Sequence, residues 1–321
     1  MKNYKCFIYK RFFRYLYNLN YIYDMSINVS SVSKFYKSQK VLDSVSFSAG
    51  KGQIIGFLGP NGAGKSTMMK ILTGFIKPTN GEVFVDDINV LENPLDAQKI
   101  IGYLPEHNPL YEEMFVREYL QFQASIFKVD KNQIEICIEQ VGLMAEAHKK
   151  IHQLSKGYQQ RVGIAAAILH NPKVLILDEP TTGLDPNQLV GIRELIQQLG
   201  KDKTVLFSTH IMQEVEAICD RVIIINKGQI VRDTALSELQ DKQHQNINIV
   251  FDSSITSSKI NQLNNLISSK NIENNTWQLR FTNEEDMRPK LFDFAQENKV
   301  KILELTAQNK NLETLFREFT N

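Results

Sequence analysis

Cysteine is scarce in this sequence: of 321 residues only Cys6, Cys137 and Cys219 carry thiols, an odd number and widely scattered. That excludes a disulfide framework, which needs density, and a cysteine-type zinc site, which needs close pairing. Three free thiols in a reducing compartment is the reading that follows. An excess of charge of one sign is lacking too. Thirty-seven basic residues stand against 36 acidic ones, a formal net charge of +1. The basic excess of a duplex-binding surface is missing, so nucleic acid is not the expected main partner. Nor is there a long apolar run. A membrane-spanning helix takes about 18 or more mainly apolar residues, whereas the longest candidate run covers only residues 162–169. The opening segment is aromatic but broken by Lys10, Arg11 and Arg14, so it has no continuous apolar core for a secretory signal. No internal repeat is present.

What is there is ordinary globular material. Forty-two per cent hydrophobic and 23% charged residues support a buried core and are too apolar for general disorder. The length fits about two domains. Residues 1–24 stand apart, with five basic residues, one acid (Asp24) and nine aromatics. They read as an unstructured leader or as an over-long reading frame ahead of a start at Met25. A basic aromatic segment lying on an anionic membrane surface is the competing reading.

From Met25 to about residue 234, short apolar runs at 53–58, 174–177, 204–207 and 222–225 read as buried strands. A further strand is expected from Ser26 to Val29. Helical patterns at 66–72, 159–169 and 187–199 fall between them, and such alternation predicts a mainly parallel sheet covered by helices. Residues 107–158 lack strand runs and read as an inserted helical subdomain. The boundaries expected are 25–240 for this parallel α/β domain and 241–321 for a small α/β domain. In the latter, strands are expected at 246–251, 276–281 and 299–305, and helices at 258–268, 284–296 and 311–319.

The run Gly59, Pro60, Asn61, Gly62, Ala63, Gly64, Lys65, Ser66, Thr67 has the phosphate-loop spacing, with an apolar strand before it and a helical pattern after it. Phosphates need close backbone N–H donors, and glycines let the chain wrap that tightly. The following helix points its positive end at the anion. Lys65 adds a charge for the β and γ phosphates of a nucleoside triphosphate, and the Ser66 hydroxyl suits Mg²⁺. A second element, the apolar run 174–177 followed by Asp178 and Glu179, delivers two carboxylates at a strand's carboxyl end, where open α/β sheets bind ligands. Asp178 suits an outer role on Mg²⁺, and Glu179 suits polarising a water at the γ-phosphate. His210 closes a third strand, 204–209, and faces the same crevice.

Further motifs carry a family resemblance. Leu154, Ser155, Lys156, Gly157, Tyr158, Gln159, Gln160, Arg161 resembles the signature of ABC ATPases, with Lys156 and Tyr158 in place of the family's usual glycine and glutamine. Thr182, Gly183, Leu184, Asp185 is similar to the D-loop, and His210 to the switch histidine. Tyr36, 23 positions before Gly59, is similar to the aromatic residue that stacks on adenine. Glu106 stands in the Q-loop region where most members have glutamine. A carboxylate there keeps an oxygen for Mg²⁺ and adds negative charge.

The resemblance implies a P-loop α/β fold and ATP hydrolysis by a head-to-tail homodimer. In that dimer Ser155, Gly157, Tyr158 and Asp185 of one chain complete the nucleotide site of the other. It implies a separate transmembrane permease as partner, and hence a peripheral position on the inner face of the bacterial cytoplasmic membrane. Glu106 and the closing residues 311–320 resemble exporters of the ABC-2 type. Residues 105–111 and 210–216 resemble the ATP-binding subunit associated with bacterial gliding motility. A soluble ABC ATPase acting on DNA or ribosomes is the alternative. Such proteins usually carry coiled-coil arms or two fused nucleotide domains, whereas this sequence has one P-loop and no long heptad array.

Overall fold

The computed structural model describes residues 25–239, 244–273, 275–282 and 285–307, together with Leu312 and Phe316. The segment 1–24, and the closing residues 311–320 apart from Leu312 and Phe316, lie outside the described residues. The chain divides after Thr234 into two compact units.

The first unit is built on a six-stranded sheet. Its strands are β3 (Ile54–Leu58), β6 (Ile101–Leu104), β7 (Val174–Asp178), β8 (Thr204–Thr209), β9 (Arg221–Asn226) and β10 (Gln229–Ala235), in the order β10-β9-β3-β8-β7-β6. All pairings from β9 across to β6 are parallel. Strands β3, β7 and β8 are buried at every position. Parallel sheets are covered on both faces, which is why these strands read as unbroken apolar runs.

Alternation splits their side chains between two cores. Leu175, Leu177, Val205 and Phe207 face helices α3 (Val116–Phe127), α4 (Asn132–Gln140), α5 (Lys156–Ile168) and α6 (Pro186–Gly200). Val174, Ile176 and Leu206 join Ile55 and Phe57 on the other face. There they pack on α1 (Lys65–Leu72), with α2 (Pro94–Ile100) contributing Ala97 and Ile100 at the margin.

That second face is also covered by a sheet the sequence did not disclose. Strands β1 (Met25–Tyr36), β2 (Gln39–Gly50), β4 (Asn80–Val85) and β5 (Ile88–Asn89) form an antiparallel layer in the order β2-β1-β4-β5. The expected strand at 26–29 is the first third of β1. Register shifts beside Val32 interrupt the alternation, so the period-2 signal of the hairpin is blurred. Residues 107–158 hold α3, α4, a 3₁₀ turn at Ile151–Gln153 and the start of α5, and no named strand. A short helix α7 (Met212–Ile218) follows β8. No helix among the described residues is long and apolar enough to cross a membrane.

The second unit opens with α8 (Leu236–Leu239) and continues as β11 (His244–Phe251), α9 (Ser257–Ile260), β12 (Leu266–Glu273), β13 (Thr276–Thr282), α10 (Arg288–Glu297) and β14 (Ile302–Ala307). The sheet order β12-β13-β11-β14, antiparallel throughout, is the split βαββαβ arrangement. Ile247, Ile249, Phe251, Trp277, Leu279 and Phe281 meet Leu291 and Phe294 in its core.

One expectation fails here. The helix expected over 258–268 ends at Ile260, and residues 266–273 are strand β12. The polar stretch around it has no firm period, and pairing with β13, Leu266 opposite Phe281, decides its conformation. The helix expected from 284 starts at Arg288, with a proline in its first turn, where no N–H is needed.

Candidate nucleotide site

Because β3, β8 and β7 are neighbours in register, Leu58 opposite Thr209 and Asp178 opposite Ser208, their carboxyl ends emerge side by side. The chain leaving β3 turns at once into α1. Two glycines are required by close approach. A Cβ on Gly59 would come within 2.5 Å of the Ile225 carbonyl oxygen. One on Gly64 (φ +107) would meet Leu42 Cδ2 at 2.7 Å and the Val41 carbonyl at 3.0 Å.

The loop is held in shape by Ala63 N–H donating to the Pro60 carbonyl (3.1 Å) and by Gly228 N–H donating to the Ala63 carbonyl (3.1 Å). Asn61 and Gly62 lie exposed at its tip. Helix α1 starts at Lys65 with no side-chain cap on Gly64 and no acidic residue in its first turn, which carries Ser66 and Thr67. Its first amides and dipole are therefore left to an outside anion.

At the base of the loop lies a compact charged cluster. Lys65, 5% exposed, donates from Nζ to the carbonyls of Gly59 (2.8 Å) and Pro60 (3.2 Å) and pairs with Glu179 Oε1 at 3.2 Å. The other carboxylate oxygen, Glu179 Oε2, accepts from His210 Nδ1 at 2.9 Å and from Thr182 Oγ1 at 3.2 Å. A carboxylate can only accept, so the proton of that histidine contact sits on Nδ1. Glu179 itself holds φ +50, the left-handed region that costs a non-glycine residue about 1 kcal/mol or more. Its N–H donates to Ser208 Oγ at 2.9 Å.

Asp178, 1% exposed, accepts on Oδ1 from Ser208 Oγ (2.5 Å) and from Ser66 Oγ (3.1 Å). Burial pushes its carboxyl above the usual carboxylate range. The two serine hydroxyls pull it back, and the like charges of Glu106 and Glu179 add to the rise.

Glu106, just past β6, is exposed and lines a cleft of about 350 Å³ with Glu179, Thr182, Lys156, Gln159 and Asn108, among others. The buried hydroxyl of Tyr103, on β6, has no hydrogen-bond partner among the described residues. Burial, then Asp178 and Glu106, hold its ionisation far above the ordinary tyrosine range.

The remaining candidate residues stand apart from the Lys65–Glu179–His210 cluster. Ser155 is the N-cap of α5, its Oγ accepting from Tyr158 N–H at 3.4 Å, and Gly157 is buried in the first turn. Asp185 caps α6, accepting from Gln188 N–H at 2.9 Å. Tyr36 ends β1, 47% exposed, opposite Gln39, with Lys34 Nζ 5.2 Å from its ring centroid. The same hairpin reaches the P-loop, since Val41 and Leu42 are the residues packed on Gly64.

One residue that sequence reasoning passed over is in the cluster: Ser208 fastens both Asp178 and the Glu179 amide. Thr182, named above only within the D-loop resemblance, adds a hydroxyl to Glu179. The only signal for Ser208 was polarity inside a buried strand, in the pair Ser208, Thr209.

For a bound cation, Ser66 Oγ and the carboxylate of Asp178 already converge and are hard oxygen donors. Among the described residues no three acidic, histidine or cysteine side chains form a cage. The donor set thus fits Mg²⁺, which is held by one or two carboxylates together with waters and substrate phosphates.

A parallel sheet whose adjacent strand ends carry a phosphate loop, a paired carboxylate and a histidine defines a P-loop nucleoside-triphosphatase. Comparison with known proteins narrows this. A family profile described as "ABC transporter" matches residues 42–182, and one described as "AAA domain, putative AbiEii toxin, Type IV TA system" matches residues 150–216. The bacitracin transport ATP-binding protein BcrA of Bacillus licheniformis is 38% identical over 222 residues, covering 68% of this chain and 72% of that protein. The linearmycin resistance ATP-binding protein LnrL of Bacillus subtilis is 30% identical over 309 residues, covering 92% of this chain and 98% of that protein. A solved dimeric ATP-binding cassette in a post-hydrolysis state, bound to ADP and Pi, is 29% identical with a TM-score of 0.60, covering 65% of this chain and 98% of that one. The chain belongs to the ATP-binding subunits of ABC transporters, and it is an ATPase.

Proposed function

We propose that this subunit powers a separate transmembrane permease of the ABC-2 export type, through head-to-tail homodimers that close on two MgATP molecules. The observation that carries the reading is the meeting of Lys65, Glu179 and His210 where β3, β7 and β8 end. Residues 59–67 wrap the triphosphate, with the α1 amides and Lys65 binding its charge. Ser66, Asp178 and Glu106 would hold Mg²⁺, which when bound would neutralise charge developing on the phosphates. Glu179 orients the attacking water, and His210 steadies Glu179 through the Nδ1 contact. Ser155, Gly157, Tyr158 and Asp185 act on the partner chain's nucleotide, so ATP favours the closed dimer and hydrolysis releases it. The loop at 106–111, beside the cleft, passes closure to the permease. The chain would thereby lie peripherally on the inner face of the cytoplasmic membrane.

Export is supported by Glu106 and by the transport and resistance named in the bacitracin and linearmycin relatives. The likeness at residues 105–111 and 210–216 extends the reading to gliding motility. Deleting the gene should then abolish surface spreading, and undiminished spreading would end that extension.

Affinity capture from detergent-solubilised membranes tests the main reading. A multi-span membrane protein is expected in the eluate. Recovery of ribosomes or DNA instead would overturn it in favour of the soluble alternative.

Tyr36 gives a separate expectation, because it offers a ring face and no phosphate contact. Tyr36→Ala should raise the KM for ATP roughly 10-fold, stacking on a base being worth about 1–3 kcal/mol, with kcat little changed. Steady-state kinetics check this, and a fall in kcat at constant KM would refute it.

A further inference from the structure

The side chain of Gln188 reaches from helix α6 to the start of α5. Its Nε2 donates to Ser155 Oγ at 3.3 Å. Its amide also packs against Gly157, where a Cβ would meet Gln188 Cδ at 2.8 Å and Oε1 at 2.9 Å. The contact is reciprocal: Lys156 extends back onto Gly183, and a Cβ there would collide with its Nζ. Gln188 is itself placed by its backbone, which donates to Asp185 Oδ1.

A serine hydroxyl has two acceptor lone pairs and one proton. At Ser155 one lone pair accepts from Tyr158 N–H (3.4 Å) and the other from Gln188. With both lone pairs filled by donors from its own chain, the hydroxyl has only its proton left to offer. The residue is exposed, so the proton is offered outward.

We infer that Gln188 is a positioning residue that makes Ser155 an obligate hydrogen-bond donor, and so selects an anionic acceptor, a terminal phosphate oxygen, for the signature turn. This rests on the reading above that Ser155 meets the partner chain's nucleotide. It adds that the polarity of the signature serine is set from the D-loop helix. Because Thr182, at the start of that same connection, donates to Glu179, the segment that orients one chain's carboxylate also orients the hydroxyl it presents to the other chain's ATP.

Gln188→Glu separates polarity from packing. The replacement has the same shape against Gly157 but can only accept, so it takes the Ser155 proton for itself. The ATP concentration for half-maximal dimer formation is measured by size exclusion on the full chain carrying Glu179→Gln, which lets dimers accumulate. Gln188→Glu should raise it about 10-fold or more, in line with losing one hydrogen bond to a charged group. Gln188→Ala, which frees a lone pair without reversing the bond, should raise it less.

With Ser155→Ala also present, Gln188→Glu should add little. An unchanged midpoint for Gln188→Glu, or an equal cost with and without the Ser155 hydroxyl, would overturn the inference. If Ser155→Ala itself leaves the midpoint unchanged, the two-chain reading of the signature falls and this inference with it. If Ser155→Ala weakens the dimer and Gln188→Glu does not, only the inference falls.

Discussion

Glu179→Gln is expected to cut ATP turnover by at least about 100-fold, the usual scale of a lost general base, while ATP still binds and a dimer accumulates. The expectation follows from how this side chain is held. Glu179 is 6% exposed, and both its oxygens are directed. Oε1 pairs with Lys65, and Oε2 accepts from His210 and Thr182. Its backbone sits in a left-handed conformation fastened by Ser208. Glutamine preserves the volume and keeps one acceptor oxygen, so the loop and its phosphate contacts should survive. What it loses is the charge that draws a proton from water. Turnover is read by phosphate release and dimerisation by size exclusion with ATP. Wild-type turnover in the variant would remove Glu179 from the chemistry. Loss of ATP binding together with turnover would assign it a merely structural part.

Lys65→Ala should have the second largest effect, and it should act twice. Nucleotide affinity is expected to fall by 100-fold or more, on the scale of about 3 kcal/mol for a buried charge-assisted contact removed from one side. Stability should fall as well, because Lys65 and Glu179 form an ion pair whose side chains are 5% and 7% exposed. Removing one partner of a buried pair leaves an uncompensated charge, a cost of roughly 3 kcal/mol. His210 stays beside Glu179 and bears part of that cost. The two effects separate in the double variant. Lys65→Ala with Glu179→Gln should recover most of the lost melting temperature in the absence of nucleotide, because the stranded carboxylate is gone. Nucleotide affinity should stay low. A double variant no more stable than Lys65→Ala alone would mean that the loop carbonyls of Gly59 and Pro60, and not Glu179, are what the ammonium stabilises.

Much of the first unit was legible because burial on both faces leaves a local trace. The fully buried strands β3, β7 and β8 appear as uninterrupted apolar runs, and the helices between them keep their 3.6-residue period. The parallel α/β architecture followed from that alternation. Of the layer of β1, β2, β4 and β5 only the stretch at 26–29 was legible: its strands are part-exposed and its register shifts break the two-residue alternation. In the second unit the first three residues of β12 fell inside the helix expected over 258–268 and the rest had no expected element, since its serines, asparagine and charged residues carry no firm period and only β13 beside it makes it a strand.

By itself, then, the sequence determined the kind of fold and the residues a phosphate-binding enzyme would draw on, because glycine spacing and apolar runs are local properties. Tertiary structure alone decided which of those residues touch. Lys65 and His210 lie far from Glu179 in the chain and meet it because β3, β8 and β7 are neighbours in the sheet. Ser208 sits under Asp178 for the same reason. The hydroxyl of Ser155 takes its polarity from Gln188, on a different helix. Local pattern records which face of an element is buried. It carries no record of the partner across the interface, and in this protein the partners hold the carboxylates, the ammonium and the signature hydroxyl in place.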